Sequence, residues 1–207
     1  MVAIDPARDL LLLIDIQNDF CPGGALAVAD GDAVVPVANG LADRFSHVAL
    51  TQDWHPAGHS SFASSHRKAG AFSTIATEHG PQTLWPDHCV QGTEGAAFHP
   101  GLAVDRAQVI IRKGYRPALD SYSAFFENDG ATPTGLAGYV RDRGFGHVVM
   151  AGLATDFCVA WSALDARKLG LQVTLILSGC RAIDQGGSLA AAMEQMTGAG
   201  VIATADL

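Results

Sequence analysis

The sequence has no basic surplus: 21 acidic residues against 13 Lys and Arg leave a net charge of −8. That balance argues against a nucleic-acid partner, since no cationic stripe exists to release counterions from phosphates, and it disfavours an anionic membrane surface. Long apolar runs are missing too. The longest uninterrupted one is as short as Leu10–Ile14, so no segment reads as a bilayer span. Met1–Ala7, with Asp5 and Pro6 ahead of that run, does not follow a secretory signal pattern. Cysteine is scarce and scattered. Cys21, Cys89, Cys158 and Cys180 form no C-x-x-C pair, which speaks against a disulfide framework at this size and for a reducing cytoplasm. P-loop, G-x-G-x-x-G and G-x-S-x-G patterns are absent, so nucleotide-binding and serine-hydrolase readings lack support.

What is present is core-forming material. With 48% hydrophobic and 16% charged residues, the 207-residue chain reads as one well-buried domain, 1–207. Leu10–Ile16, His47–Thr51, Val109–Arg112, Val148–Ala151 and Val173–Leu177 are continuous apolar runs, with Val201–Thr204 as a sixth. Runs that do not alternate mark strands buried on both faces of a parallel sheet. Helical spacing appears at Val34, Val37, Ala38, Leu41 and Phe45, and again from Leu136, with Thr132-Pro133 as the start signal. Two more helices are expected over Asp156–Leu169, stopped by Gly170, and over Ser188–Met196. The fold class is therefore α/β, a three-layer α/β/α domain with a mostly parallel six-stranded sheet. A long stretch of about 54–107, rich in Gly, Pro, Ser and His, interrupts this alternation and reads as a functional loop.

In such sheets ligands bind beyond the carboxyl ends of the strands, and chemistry-bearing residues sit there. Asp15 closes the first apolar run, Lys113 the third, and Cys158 follows the fourth at a helix start. Helix N-termini stabilise thiolates, so a lowered Cys158 pKa is expected. Each residue alone has a plain structural explanation: a cap, a solvated strand end, a packed thiol. An acid, a cation and a thiol at one sheet edge together describe an activated nucleophile. Cys21, Cys89 and Cys180 lack the helix-start setting and read as packing. A second group is Asp53, His55 and His88. Asp53 and His55 leave one face of an extended segment, and a carboxylate with imidazoles suits Zn²⁺, Fe²⁺ or Mn²⁺. His59 lies four residues past His55 and its ligand role is left open; the other histidines scatter through polar segments. Phe20, Trp54 and Trp85 would suit a flat aromatic ligand.

These motifs, Asp15–Phe20, Thr51–Pro56, Trp85–Thr93, Arg112–Gly114 and Gly152–Val159, resemble in order and over almost the whole chain the nicotinamidase family of isochorismatase-like hydrolases. The resemblance implies that fold and an amidase converting nicotinamide, and pyrazinamide with it, to the acid and ammonia in NAD salvage. It implies Asp15 as base, Lys113 as its cationic partner and Cys158 as nucleophile, with a thioester intermediate. Backbone N–H groups of Ala154 and Cys158 would form the oxyanion hole, beside a cis Leu153–Ala154 peptide. Asp53, His55 and His88 would hold one divalent metal. Phe20 and Trp85 would sandwich the ring, with Leu26, Tyr122 and Ala154 as further walls, and Phe157 occupies a position that varies in the family. A homo-oligomer is compatible with all of this. The rival readings are an amidase for another small amide, a non-haem iron oxygenase with the same donor set and a dispensable Cys158, and a binding protein that kept the fold.

Overall fold

The computed structural model describes residues 3–207. Six strands, β1 (Leu10–Ile14), β2 (His47–Asp53), β5 (Val109–Lys113), β6 (His147–Leu153), β7 (Gln172–Arg181) and β8 (Ile202–Thr204), form one sheet. Its order is β5-β2-β1-β6-β7-β8 and every pairing is parallel. Parallel neighbours need crossovers, supplied by α1 (Val34–Ala42), α2 (Leu136–Arg143), α3 (Ala160–Lys168) and α4 (Ser188–Gly198). Chain direction across the sheet reverses between β1 and β6, so right-handed crossovers put α1 on one face and α3 and α4 on the other. α1 packs on β6 and β7, while α3 and α4 pack on each other. The three-layer expectation stands. Among the described residues no helix is long and apolar enough to cross a membrane.

The central strands carry the core. Leu10, Leu11, Leu12 and Ile14 of β1 are wholly buried, and burial of each such side chain contributes roughly 2 kcal/mol. Close approach of β1 to β6 demands Gly152, at φ +134, because a Cβ there would run into the Ile14 backbone. All four cysteines are free and buried.

Several boundaries depart from the sequence expectation. β1 stops at Ile14, because Asp15 turns into the left-handed region at φ 48. α2 begins at Leu136 rather than beside Pro133, since Thr134 Oγ1 donates to the Ala124 carbonyl and Gly135 supplies the turn. The expected third helix opens as a π turn, Thr155–Val159, before α3. Within 54–107 an antiparallel hairpin forms, β3 (Thr74–Thr77) with β4 (Gly80–Thr83), whose exposed face hides it from a search for apolar runs.

Candidate active site

The reversal between β1 and β6 opens a crevice, and the strand ends around it present Asp15, Asp53, Lys113 and Cys158. Lys113, fully buried, pairs with Asp15 Oδ2 at 2.9 Å and donates to Asp53 Oδ1 at 3.1 Å and to the Ser121 carbonyl at 2.9 Å. Cys158 Sγ lies 3.4 Å from the same nitrogen. Thr51 Oγ1 donates to Asp15 Oδ1 at 2.6 Å and receives the Asp15 N–H. That leaves Oδ2 paired with the ammonium and otherwise without a hydrogen-bond partner, free to take a proton. A buried ammonium between two carboxylates is held charged: burial opposes it, yet Asp15 and Asp53 lift Lys113 well above its usual value. Burial raises the Asp15 carboxyl, partly offset by Lys113.

One expectation is corrected here. Cys158 is pushed well above the ordinary thiol value, by burial first, with Lys113 opposing and the two carboxylates adding to the rise. Desolvation outweighs the helix-start effect, so the resting thiol is protonated and needs a base to attack. Asp156, in the turn that carries Cys158, makes no cap there and bonds instead to the segment after β7.

The second group meets beside the first. His55 Nε2 is 3.0 Å and His88 Nε2 3.4 Å from Asp53 Oδ2. The Nδ1 atoms face the Gly114 and Pro86 carbonyls at 2.9 and 2.8 Å. A carbonyl only accepts, so each Nδ1 carries a proton, and each Nε2 is the ring atom turned toward Asp53 and offered to a metal. Three converging lone-pair donors, oriented by outer hydrogen bonds, are what a metal ion requires, and the three atoms lie within bonding reach of one centre. Asp53 is held well below the carboxylate range: burial opposes this, but His55 and Lys113 prevail. Gln17, unnoticed in the sequence, clamps the Asp53 backbone, with Oε1 accepting its N–H and Nε2 donating to its carbonyl, both at 2.8 Å. His59, with His55 and Asp120, forms a second group able to hold an ion, and it is also hydrogen-bonded locally. Its Nδ1 accepts from the Ser61 N–H and hydroxyl, while Nε2 donates to the Arg116 carbonyl at 2.8 Å.

Cys158 from the first group and Asp53, His55 and His88 from the second face one cavity. Phe20, Leu26, Trp85, Tyr122 and Ala154 line it, as expected; Trp54 does not, and stacks instead under Arg112 at 3.9 Å. Trp85 donates its indole N–H to Tyr122 Oη at 3.1 Å and meets Phe157 edge-on with ring centroids 4.8 Å apart. Asp120 and Ile183 also line the cavity and carried no sequence signal; Phe157 had one, its place beside the nucleophile. The Leu153–Ala154 peptide is cis.

The isochorismatase domain family matches residues 9–206. A nicotinamidase of Acinetobacter baylyi is 52% identical, over 92% of this chain and 89% of its own. A solved nicotinamidase/pyrazinamidase of Acinetobacter baumanii superposes with a TM-score of 0.95 at 50% identity, covering 97% of each chain. The pyrazinamidase of Pyrococcus horikoshii in complex with zinc gives 0.77 at 34% identity, over 95% of this chain and 98% of that one. With the sheet order, the buried strand-end cluster and these similarities in agreement, the chain belongs to the isochorismatase family of hydrolases.

Proposed function

We propose that this chain is a nicotinamidase, hydrolysing nicotinamide to nicotinate and ammonia through a Cys158 thioester. The observation that carries the reading is Cys158, Lys113 and Asp15 in buried contact at the base of an aromatic cavity, in a chain 52% identical to a curated nicotinamidase. Asp15 takes the thiol proton as Sγ attacks the amide carbon. Lys113 keeps Asp15 oriented and offsets the charge gathering in a buried site. The backbone N–H groups of Ala154 and Cys158 hold the oxyanion. Asp15 returns the proton to the departing ammonia, then activates a water that hydrolyses the thioester to the acid. Phe20 and Trp85 flank the ring, with Leu26 and Tyr122 closing its sides. Asp53, His55 and His88 would hold one divalent metal, zinc being the first candidate because the P. horikoshii relative carries it, with Fe²⁺ and Mn²⁺ suiting the same donors. When bound, the metal supplies a Lewis acid for the ring nitrogen. Pyrazinamide, also a flat ring with a nitrogen at that position, should be accepted, and a reducing cytoplasm suits four unpaired thiols.

The test is ammonia release from nicotinamide by the purified protein beside Cys158→Ala. Release by the wild type and none above background by the variant is expected. Equal rates, or a wild type that releases none, would overturn the assignment. The oxygenase alternative makes the opposite claim, that Cys158→Ala is harmless and turnover consumes O₂.

A further inference from the structure

Asp156 is a buried carboxylate two residues before the nucleophile, with no part in the chemistry above. Its Oδ1 accepts the Ile183 N–H at 3.0 Å. Its Oδ2 accepts the Asp184 N–H at 2.8 Å and the Ser188 hydroxyl. Two of these donors belong to the segment joining β7 to α4, and the third is the first residue of α4. Ile183 lines the cavity, and Asp184 stands at φ 50, a conformation that a non-glycine residue keeps only where its surroundings impose it. One side chain thus ties the turn bearing Cys158 to the wall bearing Ile183. Connecting segments are the softer parts of a fold, and charge-assisted hydrogen bonds to a buried carboxylate are among the stronger restraints available.

We propose that Asp156 is a positioning residue for substrate selection, holding the Ile183 side chain at a set distance from Cys158 so that Ile183 limits which ring substituents enter. This deepens the amidase reading and rests on it. A carboxylate is needed at 156 because three donors converge on it. Asparagine keeps one acceptor oxygen and turns an NH₂ group toward donors, which frees the Ile183 segment.

The experiment compares kcat/KM for nicotinamide and for ring-methylated nicotinamides in wild type, Asp156→Asn, Ile183→Ala and the double variant. Asp156→Asn should raise the methylated-to-parent ratio by about 5-fold or more, within the range that one methyl group controls, with the loss on nicotinamide appearing in KM rather than kcat. Ile183→Ala should shift the ratio in the same direction. In the double variant the second change should add little, since both act on one wall. Ser188→Ala, which removes one bond of three, should shift the ratio less and serves if Asp156→Asn fails to fold. An unchanged ratio in Asp156→Asn or, failing that, in Ser188→Ala overturns the proposal, as do shifts that simply multiply in the double variant. Should the wild type release no ammonia, the activity reading has failed, and the same coupling is then read from the affinities for nicotinate and methylated nicotinates.

Discussion

Lys113 and Asp15 form an ion pair of 2.9 Å in which both side chains are completely buried. The same ammonium meets Asp53 at 3.1 Å, so one cation compensates both the proposed base and the proposed metal-ligand carboxylate. Structure and chemistry are therefore coupled through a single side chain.

Lys113→Met should leave two buried carboxylates without compensation and destabilise the protein by about 3–5 kcal/mol. Urea unfolding followed by fluorescence measures this. Lys113→Arg should not rescue activity, because three oxygens converge on a point donor and a planar guanidinium cannot meet them from one position. Ammonia release from Lys113→Arg within about tenfold of the wild type, against the 10²–10⁴-fold typical of lost acid–base function, would contradict this picture.

The pH profile follows from Asp15. Burial raises its pKa above the ordinary 3.8 despite the opposing pull of Lys113. As a base it works only as the carboxylate, so activity is full above the raised value and falls as pH drops through it. The acid limb of kcat/KM should therefore lie above 3.8. A limb at or below that value, in protein shown to remain folded, would remove Asp15 as the base.

Gly114 stands at φ +66, and a Cβ there would meet His55 Cε1 at 2.5 Å and Nδ1 at 2.8 Å. Gly114→Ala should displace the His55 ring, lose its bond to the Gly114 carbonyl and lower metal content. Losing the hydrogen bond that orients a ligating imidazole costs about 10–100-fold in metal affinity. Titration of the purified variant with Zn²⁺ by calorimetry reads the effect, and wild-type affinity would count against it.

Chelation should weaken nicotinate binding more than it alters folding. Without a cation Asp53 still pairs with Lys113 and with His55, which it raises against the opposing effect of burial. A melting temperature within a few degrees of the untreated protein, beside an affinity reduced by about tenfold or more, is the expected result. Large thermal loss with intact affinity would assign the metal to structure instead.

Much of this was readable in one dimension. Continuous apolar runs located the six strands, since burial on both sheet faces leaves no polar alternation, and the strand ends marked Asp15, Lys113 and the approach to Cys158. Boundaries failed where local backbone departs from the regular wells, at Asp15, at Gly135 and in the turn around Cys158. The β3–β4 hairpin was missed because its residues are mostly exposed and carry no apolar pattern.

The sequence by itself determined the α/β alternation, the residues able to do acid, nucleophile and metal chemistry, and their order along the chain. Tertiary structure alone decided that Lys113 serves Asp15 and Asp53 at once and that His59 meets His55 and Asp120 while bonding to Ser61 and a backbone carbonyl. It also decided that burial pushes the Cys158 thiol well above its ordinary value, and that Asp120 and Ile183 line the cavity. The reason is that these are properties of distance and desolvation between segments far apart in the chain, and neither quantity leaves a periodic trace in the residues that create it.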